Sequence, residues 1–422
     1  MPIKSADVNL SINQERLLSE IEALARISEA VPPAVTRVVF TPKDLEARAW
    51  LRRKFIEASL VVRQDAIGNT FARWVGTNVT APPVGTGSHV DAIPNAGKYD
   101  GVVGVLGGLE AIRALQKGGF RPNRSIDLIV FTSEEPTRFG IGCLGSRMLC
   151  GTLTPEAARL LTDNSGQSLE DVRGKAGMQG NLESVRLPQG CYSAFVELHI
   201  EQGPLLERAE VPIGVVESIA APASLQVVVE GEGGHAGAVL MPDRKDALCT
   251  AAEIVLAIED EACSSGSHDT VATVGICDVF PGAVNSIPTR VRLSLDARDT
   301  DLARRDKVLQ AIRSKSESIS RKRGVTVRFE VVNADAPASC SPKIMGALAE
   351  ACRKHAMPFQ KMVSRAYHDS LFMSRIAPAG MLFIPCRNGL SHRPDEFALP
   401  DDVVRGTLVL AEVLSVLAGG AY

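Results

Sequence analysis

In the first half of the chain, short apolar runs alternate with a segment of helical periodicity. Residues 82–90 (PPVGTGSHV) and 124–135 (RSIDLIVFTSEE) predict strands, and residues 101–116 (GVVGVLGGLEAIRALQ) predict a helix between them. A strand, helix, strand order is typical of α/β domains with a mainly parallel sheet. Ligands of such sheets gather at the carboxyl ends of the strands, where polar residues follow both apolar runs.

Between residues 214 and 333 the order of predicted elements changes. Six segments follow one another as strand, helix, strand, strand, helix and strand: SLQVVVEGE, RKDALCTAAEIVLAIEDEA, TVATVGICDVF, RVRLSLDARD, LARRDKVLQAIRSKSESISRKRG and VTVRFEVV. This βαββαβ order is the ferredoxin-like split unit. After residue 334 the α/β rhythm resumes. We therefore predict a large α/β domain in two parts, 1–213 and 334–422, with a ferredoxin-like α+β domain, 214–333, inserted between them.

Composition narrows the class of protein. The 422 residues are 45% hydrophobic, and the net charge is −3, with basic and acidic residues interspersed. This charge pattern predicts no binding surface for nucleic acid or for an anionic membrane. No apolar stretch approaches the roughly 20 residues that span a bilayer, and nine scattered cysteines without a C-x-x-C pair indicate reduced thiols. We expect a soluble cytoplasmic protein.

Three of the seven histidines stand beside strand ends or glycine turns with acidic neighbours: His89 in SHVD, His199 in ELHIEQG and His392 in GLSHRPDE. A single histidine at such a place is usually structural, because one hydrogen bond satisfies it. Together with Asp100 in KYDG and the adjacent glutamates of SEEP, however, they form an imidazole and carboxylate set. Borderline divalent cations prefer such ligands.

The adjacent glutamates, Glu134 and Glu135, support the same interpretation. Two carboxylates at the end of a buried strand repel each other and lose hydration, so the pair needs a cation. An alternative is that Arg138 pairs with one of them. Because successive side chains alternate in direction, one glutamate can bind a metal while the other reaches a water, as in metal-assisted hydrolysis.

Five motifs carry a family resemblance. The series H-x-D, K-Y-D-G, S-E-E-P-T-R-F-G, E-L-H-I-E-Q-G and G-L-S-H-R-P-D-E, in order along nearly the whole chain, resembles the dinuclear metallopeptidase-type amidohydrolases. That family includes hydrolases of N-carbamoyl-L-amino acids, allantoate and ureidoglycolate. The resemblance implies two divalent ions per chain, with His89 and His199 on one ion, Glu135 and His392 on the other, and Asp100 bridging them.

The resemblance also assigns the catalytic groups. It implies that Glu134 is the general base and that Asp91 orients the imidazole of His89. Manganese is the implied metal, whereas the ligand types alone would equally accept zinc, cobalt or nickel.

The resemblance further implies substrate-binding residues, a homodimer formed through the inserted lid domain, and hinges near residues 214 and 333. The substrate-binding residues are Gln202, His235, Asn285, Arg298 and His368. His235 would stabilise an oxyanion, and Arg298 would clamp a carboxylate with two hydrogen bonds. The residues alone leave a simpler alternative open: a glycine hairpin around His235, and Arg298 as an ordinary surface cation near Asp296 and Asp299.

Several segments differ from the usual carbamoylase pattern and indicate the substrate. PTRFGIGCLGSR, GHAGAVLMP, RAYHDSLFM and MLFIPC resemble the family members that act on ureidoglycolate. The implied activity is hydrolysis of a C–N bond in a small ureido acid, with (S)-ureidoglycolate as the expected substrate, yielding glyoxylate, ammonia and CO2 in purine catabolism. The alternatives are an N-carbamoyl-L-amino acid hydrolase or β-ureidopropionase, an allantoate amidohydrolase, and an inactive binding protein on the same fold.

Overall fold

The structure is a computed structural model that describes residues 10–419. Its helices are α1 (Gln14–Ala25), α2 (Pro42–Glu57), α3 (Val102–Lys117), α4 (Leu144–Cys150), α5 (Pro155–Arg159), α6 (Leu169–Lys175), α7 (Leu205–Ala209), α8 (Ala247–Cys263), α9 (Leu302–Arg323), α10 (Pro342–Lys354), α11 (Asp369–Met373) and α12 (Pro400–Ala418). Its strands are β1 (Val35–Arg37), β2 (Val61–Gln64), β3 (Thr70–Trp74), β4 (Val84–His89), β5 (Ala92–Ala96), β6 (Ile126–Phe131), β7 (Ala194–Ile200), β8 (Ile213–Ile219), β9 (Ala221–Glu230), β10 (Gly234–His235), β11 (Val271–Phe280), β12 (Ser286–Ile287), β13 (Arg290–Asp299), β14 (Thr326–Ala334), β15 (Ala338–Ser339), β16 (Phe359–Ser364) and β17 (Ala379–Ile384).

The chain forms two compact units. Among the described residues, the first comprises 10–217, 339–362 and 368–419, and the second comprises 218–338 and 363–367. The predicted boundary at 214 falls inside strand β8, which continues to Ile219. The sequence also did not predict that residues 363–367, far along the chain, belong to the second unit.

The first unit is built on a nine-stranded sheet, in the order β15-β8-β17-β7-β4-β6-β3-β2, with β16 paired to β8. Its four central strands, β17, β7, β4 and β6, are parallel, and every residue in them is buried. Continuous apolar runs such as IDLIVF in β6 are typical of strands covered on both faces. The predicted α/β domain with a mostly parallel centre is confirmed.

Helix α3 packs closely onto this sheet because of its glycines. A Cβ atom at Gly104 would lie 2.5 Å from the carbonyl oxygen of Leu198 in β7, a distance that no side chain tolerates. The absence of a side chain therefore lets α3, which starts directly after Gly101, approach the strand that carries His199.

The second unit contains the predicted βαββαβ order. Its four-stranded sheet runs β11-β13-β9-β14 with antiparallel neighbours throughout. Helices α8 and α9 contribute Ala251, Ile254, Val308 and Ile312 to the core of this unit. A short two-stranded sheet, β10–β12, adds to this pattern and pairs His235 with Ser286.

All nine cysteines of the protein are free. No helix within residues 10–419 is both long and apolar enough to cross a membrane.

Candidate metal centre

Three parallel strands end at the same edge of the large sheet, and each carries or precedes a candidate ligand. Strand β4 ends at His89, and β7 carries His199 one residue before its end. Strand β6 ends at Phe131 and is followed by Glu134 and Glu135. Because neighbouring parallel strands deliver their carboxyl ends to one edge, these side chains come together although over a hundred residues separate the first from the last.

Asp100 lies at the centre of this cluster. Its Oδ1 atom lies 3.2 Å from Nε2 of His199 and 3.7 Å from Nε2 of His89, and its Oδ2 atom lies 3.1 Å from Nε2 of His392. Gly101, at φ 65°, turns the chain into α3 directly after Asp100, and a Cβ atom there would lie 2.5 Å from the His89 ring. A residue with a side chain could therefore not take this place without moving His89.

The two buried imidazoles present the correct nitrogen to the centre. Nδ1 of His89 lies 3.0 Å from the carbonyl oxygen of Asp91, and Nδ1 of His199 lies 2.9 Å from that of Ile200. A carbonyl oxygen only accepts hydrogen bonds, so Nδ1 must carry the proton in each ring. In the neutral rings each Nε2 atom therefore keeps its lone pair, and in His199 the amide of Gly101 lies 3.2 Å from that nitrogen. This is the tautomer that a metal ligand needs.

A second set of groups surrounds the other oxygen of Asp100. Nε2 of His392 lies 3.2 Å from Oε1 of Glu135 as well as 3.1 Å from Oδ2 of Asp100. Two ligand sets therefore share Asp100, namely His89, Asp100 and His199 on one side and Asp100, Glu135 and His392 on the other. The five residues predicted as metal ligands are brought together, and nitrogen and carboxylate donors of this kind fit divalent ions such as Mn²⁺ or Zn²⁺.

The electrostatics of the site are those of a cation-binding centre. Burial alone would raise the pKa of Asp100, but hydrogen bonds from the three histidines hold that pKa well below its usual range. Hydrogen bonds to Asp100 and Glu135 raise the pKa of His392 to about 11. The carboxylates thus stabilise positive charge at the place where an ion would be bound.

Asp91 holds the two glutamates in place. Its Oδ1 atom accepts a hydrogen bond of 3.2 Å from the amide of Glu134, and its Oδ2 atom accepts one of 3.0 Å from the amide of Glu135. Its carboxylate is 3.7 Å from Nδ1 of His89, whereas its backbone oxygen is at 3.0 Å. Asp91 thus orients His89 mainly through its main chain, and its carboxylate fixes the loop that carries the glutamates.

Glu134 is placed as a proton acceptor beside this centre. Its Oε2 atom lies 3.8 Å from Nε2 of His89, and its Oε1 atom accepts a hydrogen bond of 3.3 Å from the thiol of Cys143. Burial and the nearby charge of Glu135 raise the pKa of Glu134 well above its ordinary value, although His89 acts in the opposite direction. A carboxylate with a raised pKa is a better general base near neutral pH.

Arg138 pairs with Asp163 at 3.2 Å and with neither glutamate. The alternative that Arg138 neutralises one of the adjacent glutamates was therefore wrong.

Three residues hold Asp100 in its orientation, and two of them, Glu396 and Ser391, were not predicted from the sequence. Oε1 of Glu396 accepts hydrogen bonds from the amides of Tyr99 and Asp100, at 2.8 and 3.2 Å. The Ser391 hydroxyl lies 3.1 Å from Oδ2 of Asp100 and 2.8 Å from Oε2 of Glu396, so its single proton can be donated to either carboxylate. Gln202, predicted to bind substrate, donates its amide to Oδ2 of Asp100 at 2.8 Å. Glu396 could have been predicted as a site residue because it stands in the same sequence motif as His392.

His368 lies inside the fold rather than on an open surface. It is 2% exposed, and its ring centroid is 4.5 Å from that of His199.

Glu197, which was not predicted from the sequence, accepts hydrogen bonds from the hydroxyls of Ser88 and Ser370 at 2.7 and 2.6 Å. Two residues before His199, it lies on the same side of β7, which was the available signal. This layer of polar groups supports the ligands from behind.

The three remaining predicted substrate residues lie in the second unit. His235 and Asn285 are exposed neighbours at the β10–β12 pair, where the amide of Ala236 donates to the carbonyl of Asn285 at 2.9 Å. Arg298 is near the far end of β13, and its Nε and Nη2 atoms donate to Asp296 at 2.7 and 3.2 Å. The structure therefore brings His235 and Asn285 together, and it gives Arg298 a carboxylate partner of its own.

Comparisons with known proteins show which family the chain resembles. The model of the peptidase family M20/M25/M40 matches residues 85–416. The ureidoglycolate hydrolase of Arabidopsis thaliana is 49% identical over 417 residues, covering 97% of this chain and 88% of that protein. The N-carbamoyl-L-amino-acid amidohydrolase of Pseudomonas sp. (strain NS671) is 37% identical over 405 residues, covering 96% and 98%. Crystal structures of AtUAH in complex with glyoxylate and with (S)-hydroxyglycine are 49% identical and superpose with a TM-score of 0.90, covering 97% of this chain and 98% of theirs.

Proposed function

The chain belongs to the peptidase family M20/M25/M40, and on that premise we propose that it is a metal-dependent amidohydrolase whose substrate is (S)-ureidoglycolate. One observation carries the chemical part of the proposal: Asp100 faces His199 with one carboxylate oxygen and His392 with the other. The choice of substrate is supported by the 49% identity to a ureidoglycolate hydrolase over nearly the whole chain.

The ligand sets favour two divalent ions. His89 and His199 would hold one ion, Glu135 and His392 the other, and Asp100 would contact both. We propose manganese as the native metal, with zinc as the alternative, because both accept imidazole and carboxylate ligands. When bound, such an ion pair supplies an acidified water and polarises the substrate carbonyl.

Glu134 would move the proton in this reaction. Its raised pKa and its place beside His89 suit it to take a proton from the attacking water and then to pass it to the leaving nitrogen. The thiol of Cys143 at 3.3 Å and the amide held by Asp91 keep the Glu134 carboxylate in a defined orientation. Such pre-organisation lowers the entropic cost of proton transfer.

The overall reaction of (S)-ureidoglycolate would begin at its carbamoyl carbon. Water adds there and the terminal C–N bond breaks, which releases ammonia. The remaining carbamate loses CO2 and leaves hydroxyglycine, whose carbinolamine then loses a second ammonia to give glyoxylate. One water and one ureidoglycolate thus give one glyoxylate, one CO2 and two ammonia molecules. The two small molecules found with AtUAH, (S)-hydroxyglycine and glyoxylate, are the last two carbon skeletons of this sequence.

Arg298 retains a way to bind the substrate carboxylate. Asp296 occupies the edge of the guanidinium formed by Nε and Nη2. On the other edge, Nη1 has a single contact of 3.5 Å, to the carbonyl oxygen of Arg365, among the described residues. A guanidinium has five N–H donors, so a substrate carboxylate could bind the Nη1 and Nη2 edge while Asp296 fixes the orientation of the side chain.

Substrate binding by Arg298, His235 and Asn285 together would require two chains. His235 and Asn285 lie beyond Arg290, the first residue of β13, whereas Arg298 is eight residues further along that strand. Eight residues of extended strand span about 26 Å, which is too far for one small ureido acid. We therefore propose a homodimer in which one chain supplies Arg298 to a substrate and its partner supplies His235 and Asn285.

A surface suited to this pairing exists on the second unit. Strand β11 is at the edge of its sheet and exposes Val271, Ile276 and Phe280. Helix α8, which packs beside β11, exposes Leu256. Exposed apolar edge strands tend to pair with another strand, so we place the dimer contact along β11 and α8.

The proposal is tested by an ammonia-release assay on the metal-stripped protein reloaded with Mn²⁺ or Zn²⁺. The substrates are (S)-ureidoglycolate, N-carbamoylglycine, allantoate, N-carbamoyl-β-alanine and N-carbamoyl-L-amino acids. N-carbamoylglycine lacks only the hydroxyl of ureidoglycolate, and a pocket that binds this hydroxyl discriminates by up to about 10⁴ in kcat/KM. Preference for N-carbamoyl-L-amino acids would instead favour the second candidate function, which the 37% identical Pseudomonas relative supports.

A further inference from the structure

Arg37 is a fully buried arginine close to the metal centre, and the chemistry proposed above does not use it. It is 1% exposed and is among the largest fully buried side chains of the protein. Its Nη1 atom donates to the carbonyl oxygen of Val90 at 2.6 Å, and its Nη2 atom donates to that of Leu24 at 2.6 Å. Nε and Nη2 also donate to the carbonyl oxygen of Ile27, at 3.0 and 2.9 Å.

Burying this guanidinium is costly, because all of its hydrogen-bond acceptors within residues 10–419 are main-chain carbonyls rather than carboxylates. Burial lowers the pKa of Arg37 to about 10, against the opposing charges of Asp44 and Asp91. A buried apolar side chain would avoid this cost. A structural reason for an arginine must therefore lie in the groups that it connects.

Those groups are the end of α1 and the turn that carries metal ligands. Leu24 lies in the last turn of α1 and Ile27 follows it, so Arg37 places its positive charge on carbonyls at the negative end of that helix. Val90 stands between His89 and Asp91, and its carbonyl is the third group held. The backbone of Arg37 also pairs with Ala92 through β1 and β5. Residues 89–92 are thus held by both the side chain and the main chain of Arg37.

We propose that Arg37 is a positioning residue of the metal centre, which holds the His89–Asp91 turn in the geometry that binds the ions. The inference rests on the metal site of the proposed function. If Val90 moves, His89 loses the carbonyl of Asp91 that fixes its tautomer, and the Asp91 carboxylate loses the amides of Glu134 and Glu135. Arg37 would therefore control ligands on both sides of Asp100 without touching an ion or the substrate.

Lysine cannot replace Arg37 in this role. The guanidinium binds three carbonyls from two segments in a planar array, whereas an ammonium is a compact charge on a flexible stem. Arg37→Lys keeps the charge but cannot span Leu24, Ile27 and Val90 together. Arg37→Met keeps most of the buried volume and removes every donor.

The matched control is Arg173→Lys. Arg173 is also buried, at 5% exposure, and donates to the carbonyl oxygens of Ala66 and Gly180 at 3.0 and 3.2 Å, besides pairing with Glu170. It contacts none of the ligand-bearing turns. Its replacement should lower thermal stability without a specific effect on ion binding.

The experiment measures Mn²⁺ and Zn²⁺ affinity by calorimetry on the metal-free full chain, together with the melting temperature and the kinetic constants. We expect Arg37→Lys to bind the ions about 10- to 100-fold more weakly than wild type, Arg37→Met to lose at least as much, and Arg173→Lys to bind normally. At saturating metal, kcat should fall in both Arg37 variants while KM stays unchanged.

Affinity within twofold of wild type in a folded Arg37 variant would overturn the proposal. So would a loss of affinity in Arg173→Lys equal to that in Arg37→Lys, because the effect would then follow stability alone. If Arg37→Lys does not fold, Arg37→Met decides by the same criteria. Absence of tight ions from the wild-type protein would instead refute the proposed function itself, which makes the two failures distinguishable.

Discussion

The Oδ1 atom of Asp100 lies 3.2 Å from Nε2 of His199, the one nitrogen of that ring not bonded to a backbone carbonyl. The hydrogen bond from Nδ1 to the carbonyl of Ile200 therefore fixes the ring with Nε2 toward the carboxylate. A carboxylate and an imidazole in this relationship can share a cation without either of them having to reorient.

Asp100→Asn should remove both ions, because the amide keeps the shape of the side chain but loses the charge and one oxygen ligand. Elemental analysis after gel filtration measures the metal content. The matched control is Asp127→Asn, since Asp127 is also buried but lies at the other end of β6 and bonds to Arg73 and Tyr192. Two tightly bound ions in the Asp100→Asn protein would refute the shared-ligand assignment.

Glu134→Gln should retain the metal content while kcat falls by about 10² to 10⁴, the usual contribution of a general base. Glu201→Gln is a suitable control. Glu201 is also buried, but within the described part of the chain its carboxylate accepts hydrogen bonds only from the amides of Leu205 and Leu206, at 2.8 Å each. A metal-loaded Glu134→Gln protein with near-normal kcat would remove Glu134 from the proton-transfer role.

Metal binding should release at least one proton per chain. Asp100 and Glu135 raise the pKa of His392 to about 11 in the metal-free protein, so this ring is charged at pH 7 to 9. An ion requires the neutral ring, so binding displaces the proton and affinity rises with pH until the pH passes that pKa. Calorimetry in buffers of different ionisation enthalpy measures the release. A binding heat independent of the buffer would contradict this assignment.

Arg298→Lys should lower kcat/KM for every ureido acid, because an ammonium cannot bind a carboxylate through two parallel hydrogen bonds. We expect a loss of about tenfold or more, from the usual strength of charge-assisted pairs. Steady-state kinetics should show an effect on Arg298→Lys but none on Arg328→Lys, which alters an exposed arginine on β14. Equal losses in the two variants would show that Arg298 has no special role.

Hybrid dimers test whether His235 acts on the partner's substrate. His235→Ala and Glu134→Gln homodimers should both be nearly inactive. A mixed population would regain about a quarter of wild-type activity, because half of the dimers are hybrids and each hybrid has one intact site. Ammonia release before and after subunit exchange provides the measurement. A mixture as inactive as its parents would mean that His235 acts within its own chain.

The sequence predicted the parts of the site that local patterns reveal. His89, Glu134, Glu135 and His199 all follow apolar runs, and the end of a buried strand in a parallel sheet is where ligands meet. It could not reveal partners that are distant along the chain: Glu396 bonds to the amide of Tyr99, 297 residues away. Asp296 beside Arg298 was visible, yet only the structure shows which edge of the guanidinium it occupies.

Arg37 illustrates why the rest was out of reach. No motif surrounds it, and its partners are three main-chain carbonyls. Main-chain carbonyl groups are chemically alike in every residue, so no pattern of side chains in the sequence predicts which of them will accept a hydrogen bond. Likewise, residues 363–367 belong to the second unit through tertiary contacts that no local periodicity encodes.

The insertion of the second unit between His199 and His392 has a consequence for biosynthesis. A ribosome must translate all of residues 218–338 after His199 before the histidine on the far side of Asp100 exists. Until then the nascent chain can offer only the set of His89, Asp100 and His199. The two candidate ligand sets are therefore completed at different times during synthesis, and the set that contains His392 is completed last.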